Sequence, residues 1–403
     1  MTGRLAGGSW RPWAFGIITL IVALFAARAA LAFAFQSASP EFVVKIDSDN
    51  PVAIVKLAEA AVAAGDRAMT PERLSQIAMV SIRGLPLNAP SFRLMATTSR
   101  ANESLDVLGE RMAVAHHLTR RDLGAELFLI EDAVRRNDVA GALDAYDSAL
   151  RIDQSTRAML YPVLTEALRE PLVRQRFLPY LERRPPWLES FLRFAVSNSS
   201  DPASMVRLAA LAGGFPAGEE FASLDTELLT GLIDRNQFTT AVSHYRTLGR
   251  AKPALLNSLA MTEDTVDKSV APISWQAYSI PGIDAVWVAT GNALELEALL
   301  DAGYTGPVAR KMLALKPGRY RLTAPYRVQD SDPRDTITWN LACQGGKSVL
   351  STTGRLSEEG SIAGTFTVPA GCSAQSVLVS AVTAPGSSTV SLTLTSPSLT
   401  RGS

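Results

Sequence analysis

An apolar run of 23 residues near the N-terminus, residues 13–35, constrains this chain more than any other feature of its sequence. The run contains one charged residue, Arg28, and two further arginines, Arg4 and Arg11, precede the run. A helix that crosses a bilayer needs about 20 apolar residues, and positive charge ahead of such a helix favours a cytoplasmic N-terminus. The sequence therefore predicts a cytoplasmic tail at 1–12 and a transmembrane signal-anchor helix at 13–35.

A cleaved signal peptide is the alternative interpretation of this run. Small residues stand at the spacing of a cleavage site in Ala30-Leu31-Ala32 and again in Ala32-Phe33-Ala34. A buried helix of a soluble protein is the third interpretation. With either of the first two, most of the chain is exported. We predict a single-pass protein of the inner (cytoplasmic) membrane, with the bulk of the chain in the periplasm.

The charge balance excludes one large class of partner. The chain has 39 basic and 39 acidic residues, and its formal net charge is zero. Binding to nucleic acid needs a concentrated basic surface, so we expect no nucleic-acid partner. The length of 403 residues predicts two or three domains after the anchor.

The middle of the chain, from about Val55 to Leu259, is predicted to be helical. Apolar residues recur there at three- and four-residue spacing, and three blocks of 34 residues (55–88, 89–122 and 123–156) align in register. Each block would form two antiparallel helices that cannot bury their apolar faces alone, so the blocks should stack as a solenoid over 40–260. The residues predicted to pack the repeats are Leu74, Ala78, Leu108, Met112, Ala115, Ala142, Tyr146, Ala149, Ala241 and Tyr245.

This pattern resembles the tetratricopeptide repeat. Ala142, Tyr146 and Ala149 match the small, aromatic and small positions of the family's second helix, and Pro86 matches the proline that closes a repeat. The Trp, Gly and Tyr usual in the family's first helix are absent. The resemblance implies a solenoid with a concave groove for protein or peptide partners.

The composition changes after about Met261, where Thr, Ser, Val, Gly and Pro become more frequent. Short segments there alternate apolar and polar residues between turns, which is typical of an antiparallel β-sandwich. In TITWNLAC, for example, Trp339, Leu341 and Cys343 share one face. An exported domain lies in an oxidising compartment, so Cys343 and Cys372 are predicted to form a disulfide, with two free buried thiols as the alternative.

The order of turns and strands over about 270–399 resembles the jelly rolls of carbohydrate-binding modules, in the segments LALKPGRYRLTAPYRV and FTVPAGCSAQSVLVSA. The resemblance implies sugar binding by aromatic side chains that stack on sugar faces. A position in the core is the alternative for every aromatic candidate. The candidate ligand-binding residues are Tyr304, Tyr326, Trp275 and Trp287, with Tyr278 and Trp339 as further aromatic candidates.

The sequence offers no recognisable catalytic chemistry. It contains none of the common hydrolase, zinc-protease or nucleotide-binding motifs. Its histidines, His116, His117 and His244, are not spaced to chelate one metal together, because the first two are adjacent and point apart on a helix. We therefore predict no enzyme activity, no cofactor and no metal.

The predicted fold class is multidomain α + β: a transmembrane helix, a tetratricopeptide-like α-solenoid and a jelly-roll-like antiparallel β-sandwich over 270–400. The predicted function is that of a non-catalytic, membrane-anchored scaffold or adaptor of the cell envelope in polysaccharide assembly or export. Its predicted partners are envelope proteins or peptides at the solenoid and the membrane at the N-terminal helix, with a polysaccharide as a further candidate. The alternatives are a glycan-binding protein that acts through the sandwich and a hydrolase with an unrecognised site.

Overall fold

The structure is a computed structural model that describes residues 11–98, 105–291, 293–386 and 388–402. Within these ranges, 14 α-helices precede an antiparallel β-sandwich of two sheets, which confirms the predicted fold class. All but the last two residues of the predicted cytoplasmic tail lie outside the described residues. The chain divides into two compact units, Met1–Leu160 and Tyr161–Ser403.

The first unit begins with a long apolar helix, α1 (Arg11–Phe35). Its segment Phe15–Phe35 is long and apolar enough to cross a membrane, and a signal sequence would have the same properties. The short helix α2 (Pro40–Ile46) follows, with a proline in its first turn and Val43 buried.

Six further helices complete the helical array of the first unit, and each contacts the next along the chain. They are α3 (Pro51–Ala63), α4 (Pro71–Gly84), α5 (Ala89–Thr98), α6 (Leu105–Leu118), α7 (Leu123–Arg135) and α8 (Val139–Ile152). Helices α4, α6 and α8 begin 34 residues apart, as do α5 and α7. The predicted repeat length therefore appears in the helix boundaries, while membership of the tetratricopeptide family stays a prediction.

The ten residues predicted to pack the repeats are all buried, with exposures of 8% or less. Ala78, Ala115 and Ala149 are fully buried on α4, α6 and α8. Alanine at such a position leaves room for the neighbouring helix to approach closely. Tyr146, on α8 with Ala149, is also buried, at 7% exposure.

The second unit begins with helices that continue to Thr247: α9 (Arg157–Ala167, which starts just before the division), α10 (Pro171–Arg183), α11 (Leu188–Asn198), α12 (Pro202–Ala212), α13 (Leu224–Asp234) and α14 (Phe238–Thr247). Their core is aromatic. Phe177, Tyr180, Trp187 and Phe191 are buried with ring centroids between 5.5 and 6.2 Å apart. Ala241 and Tyr245 of α14 are fully buried.

The sandwich consists of twelve described strands: β1 (Gln276–Ala277), β2 (Ser279–Ile280), β3 (Ile283–Thr290), β4 (Ala293–Leu300), β5 (Thr305–Leu313), β6 (Gly318–Gln329), β7 (Thr336–Cys343), β8 (Ser348–Arg355), β9 (Glu359–Val368), β10 (Gln375–Val382), β11 (Val390–Leu394) and β12 (Ser398–Arg401). One sheet has the order β1-β5-β10-β7-β8. The other has the order β12-β6-β11-β4-β3-β2, with β9 also paired to β6. The buried residues of both sheets alternate along the strands and form one core between them.

The predicted disulfide between Cys343 and Cys372 is present in the second unit. It joins the end of β7 to the turn before β10. The residues next to the two cysteines contact the start of α14. Gln344 accepts a hydrogen bond from the backbone of Thr239 at 3.3 Å, and the hydroxyls of Ser373 and Thr239 are 2.9 Å apart.

Candidate functional site

Three of the four principal candidates for sugar stacking lie in the core of the sandwich. Tyr304 is 8% exposed, Tyr326 5% and Trp275 1%. Each also uses its polar atom internally, since hydrogen bonds run from Tyr304 to the carbonyl oxygen of Pro307 (2.7 Å), from Tyr326 to that of Arg355 (2.8 Å) and from Trp275 to that of Leu259 (3.1 Å). The structure therefore places these three rings in the core, which was the alternative for each of them, and their faces pack against protein.

The other aromatic candidates also leave little ring surface free. Trp287 is half-buried and packs against the sandwich core. It is paired with the buried Leu296 of the neighbouring strand β4, and both side chains lie on the same face of the sheet. Trp339 is 1% exposed and meets Trp275 edge to face. Tyr278 is half-buried beneath the Arg310 guanidinium. Across the described part of the sandwich, no line of exposed aromatic side chains forms a sugar-binding platform.

The outer face of the five-stranded sheet is rich in hydroxyl groups, and we call it the hydroxyl face. It comprises Thr336, Thr338 and Asn340 of β7, Ser351 and Thr353 of β8, and Ser376 and Ser380 of β10, which alternate with buried residues in β7 and β10 and with half-buried residues in β8. The hydroxyl oxygens of Thr338 and Thr353 are 2.9 Å apart. This face can hydrogen-bond a polar ligand that lies flat on the sheet.

A different kind of site lies in the first unit, between α3, α5 and α7. These helices enclose a groove of about 380 Å³ that we call the first-helix groove. Its apolar lining comprises Val52, Val55, Pro90, Leu123 and Leu127. An extended chain could place apolar side chains against this lining.

An arginine links two carboxylates across the first-helix groove. The Nε of Arg93 on α5 lies 2.6 Å from Asp122, and its Nη2 lies 2.8 Å from Glu59 on α3. Asp122 also caps α7 by accepting a hydrogen bond from the backbone of Ala125. Burial raises the pKa of Glu59, and the charge of Arg93 opposes that rise. One side chain therefore ties all three helices of the groove together.

Gly124 leaves the space that Arg93 occupies. A Cβ atom at Gly124 would lie 2.6 Å from Cδ of Arg93, which is too close for two carbon atoms. A larger residue at this position would force the side chain of Arg93 to move away from the first turn of α7.

Two further cations of the groove take no part in the bridge from Arg93 to Glu59 and Asp122. Arg121 is exposed, and no carboxylate of the described residues forms an ion pair with it. Lys56 is also exposed, and its ammonium donates to the carbonyl oxygen of Ser37 at 3.1 Å. With Arg93 they outnumber the lining carboxylates Glu59 and Asp122, so the groove favours an acidic ligand.

Two of the three histidines, His116 and His244, pair with carboxylates. His116 lies 2.6 Å from the buried Glu126, and His244 lies 3.1 Å from Asp225. Burial raises the pKa of Glu126 while His116 lowers it. No cluster of three or more histidine, cysteine or acidic side chains that could hold a metal ion occurs among the described residues.

No protein-family model matches this sequence, and no curated protein matches it. Among solved structures, the neighbours are β-sandwiches of carbohydrate-binding modules. A family 61 module in complex with β-1,4-galactotriose is 12% identical, with a TM-score of 0.27, over 36% of this chain and 99% of that one. A family 4 module is 12% identical, with a TM-score of 0.26, over 32% of this chain and 88% of that one. A family 16 module is 17% identical, with a TM-score of 0.26, over 36% and 99%. At these low TM-scores the similarity transfers no ligand to this chain.

Proposed function

We propose that this protein is a non-catalytic adaptor, anchored in the inner membrane by α1, that binds an extended acidic segment of a periplasmic protein in the first-helix groove. The observation that carries the proposal is the combination of an apolar lining with cations that remain available, at Arg121 and Lys56. The apolar lining suits side chains of an extended segment, and the cations suit its carboxylates.

The arrangement of Arg93 supports this function. The bridge from Arg93 to Glu59 and Asp122 fixes the spacing of three helices before any partner arrives. A groove that is already ordered loses less conformational entropy when it binds. The sandwich supports the same function indirectly, because its described aromatic side chains are buried or half-buried and offer no competing platform.

We expect Arg121→Glu to weaken the binding of acidic peptides. The full-length protein in nanodiscs would be screened against a random dodecapeptide library, and enriched peptides measured by fluorescence anisotropy. Enrichment of Asp and Glu between apolar residues is expected. Reversing one rim charge should weaken such peptides by about tenfold or more, because it replaces attraction with repulsion.

The matched control is Arg73→Glu on α4, which makes the same charge change at an exposed position outside the groove lining. It should leave peptide affinity unchanged. A library that yields no acidic consensus, or peptides that bind Arg121→Glu and Arg73→Glu equally well, would rule out the groove as the binding site.

A second candidate function is glycan binding on the hydroxyl face. The observation that favours it is the set of serine, threonine and asparagine side chains on neighbouring strands, with Tyr278 and Arg310 near one edge. Such groups hydrogen-bond sugar hydroxyls. In this version the adaptor joins its protein partner to a polysaccharide during assembly or export.

The hydroxyl face can be tested against a matched face of the same domain. Cellotriose and β-1,4-galactotriose would be titrated calorimetrically into the full-length protein. The pair Thr338→Val and Thr353→Val should weaken binding about tenfold, since two hydrogen-bonding groups are lost. The control pair, Thr365→Val and Thr367→Val on the outer face of β9, should bind like the unaltered protein. No heat of binding with either sugar, or equal affinities for both pairs, would count against this face.

A further inference from the structure

The end of α1 and the helix α2 form an antiparallel hairpin. The rings of Phe35 and Phe42 meet edge to face with centroids 6.0 Å apart. Below them, Ala32 and Val43 are buried in one cluster at 4% and 0% exposure. Successive contacts thus step backwards along α1 and forwards along α2.

The last contact of this hairpin is an ion pair. Nη2 of Arg28 lies 3.7 Å from Oδ1 of Asp47, at the end of α2. Arg28 stands seven residues before the end of α1, which corresponds to about 10 Å along the helix. Asp47 therefore lies about 10 Å back from Phe35, level with Arg28.

This geometry conflicts with a membrane that reaches Phe35. Helix α2 runs back from the level of Phe35 to the level of Arg28. Glu41 and Lys45 lie on this helix, Asp49 lies just after it, and all three are exposed. A bilayer around the whole of α1 would surround these charges with hydrocarbon. It would also surround the turn after α2, whose backbone groups have no water to bond there.

The balance of charged and apolar side chains decides between the two positions of the membrane. A charged side chain is costly deep in hydrocarbon, and this segment carries several. Against this stand Leu31, Phe33 and Phe35, which are 45%, 76% and 42% exposed. They are already partly covered in the structure, so embedding them removes only the rest of their apolar surface from water.

We propose that the outer surface of the membrane lies at the Arg28–Asp47 pair, and that α1 beyond Arg28 is an extramembrane arm that packs on α2. This inference rests on the proposed anchoring by α1. The embedded part then runs from about Arg11 to Ala27. From Arg11 to Arg28 a helix is about 25 Å long, and a bilayer adapts to such a short span by local thinning.

The hairpin also bears on cleavage. Removal of the chain up to the end of either small-residue site would take away both Arg28 and Ala32. Asp47 would lose its ion-pair partner, and Val43 would lose part of its packing. The contacts therefore favour an anchor that is retained.

Cysteine accessibility tests the position of the membrane. The two native cysteines form the disulfide, so a single introduced cysteine is the labelling site. Val22→Cys and Phe33→Cys make a matched pair, because the native side chains are 61% and 76% exposed in the structure and only lipid would distinguish them. Spheroplasts that express the full-length variants would be treated with a membrane-impermeant maleimide, and labelling measured by intact mass.

Phe33→Cys is expected to react about ten times faster than Val22→Cys, because hydrocarbon excludes both the reagent and the reactive thiolate. Both should react fully after solubilisation in SDS. Equal protection of both positions would overturn the inference and place the boundary at Phe35, with the anchoring intact. A mass that lacks the N-terminal residues would instead show cleavage, and would overturn the anchoring together with the inference.

Discussion

Replacing Lys311 by Met is expected to stabilise the second unit by about 4–5 kcal/mol at neutral and acidic pH. Lys311 lies on β5 with no exposed surface. Its ammonium donates to the carbonyl oxygen of Ile273 at 3.1 Å, and no carboxylate of the described residues forms an ion pair with it. Burial lowers the pKa of Lys311 from 10.5 to about 7, and that difference sets the size of the expected effect. Met has a similar length and no charge to desolvate.

The lowered pKa of Lys311 also predicts how the free energy of unfolding changes with pH. Below about pH 7, Lys311 is protonated in both the folded and the unfolded chain, so the full cost of its burial is present. Between about pH 7 and 10.5 the unfolded chain holds the proton and the folded chain does not. The free energy of unfolding of the unaltered protein should therefore rise with pH across this window relative to Lys311→Met.

Guanidinium unfolding, followed by tryptophan fluorescence, measures this effect. Four of the six tryptophans, Trp187, Trp275, Trp287 and Trp339, belong to the second unit. The control is Lys316→Met, which removes an exposed lysine from the turn after β5. It should change neither the stability nor its slope with pH. A Lys311→Met protein that is less stable than the unaltered one at pH 6 would show that the buried ammonium has a favourable partner.

The position of Lys311 also shows where sequence patterns stop being informative. The pairing of β5 with β10 shifts by one residue at Val308, so Thr305 and Pro307 point outwards while Ala309 and Lys311 point into the core. A period-two sequence pattern does not reveal such a bulge, because the inserted residue exchanges the two faces of the strand. The alternation of residues in the sequence alone therefore gives no sign that Lys311 is buried.

The helical array was more predictable than the sites. The repeat of 34 residues depends on packing between neighbouring helices, and it reappears in the starts of α4, α6 and α8. The inward position of Tyr326 could also be predicted from the sequence. Its spacing from Leu322 and Val328 of β6 is even, so the three side chains share one face of the strand, which is the buried one. The bridge from Arg93 to Asp122 could not be predicted from the sequence, because it joins residues 29 apart whose identities follow no periodic pattern.

Replacing both cysteines by alanine is expected to destabilise the second unit by about 3–4 kcal/mol. Cys343 and Cys372 are 29 residues apart, and their bond closes a loop that contains β8 and β9. Without the bond, the unfolded chain gains the conformational freedom of that loop. The double variant should unfold at a lower guanidinium concentration by the same tryptophan signal.

The bond should also matter locally, because Gln344 and Ser373 stand next to the two cysteines and both contact Thr239 at the start of α14. In the double variant, amide hydrogen exchange should accelerate in the first turn of α14 as well as in the turn before β10. Thr239→Val separates the two effects. It removes the hydroxyl contact with Ser373 and keeps the disulfide, so it should accelerate exchange in α14 with a loss of only about 1 kcal/mol. A double variant as stable as the unaltered protein would mean that the sheets hold the ends of this loop together without the covalent link.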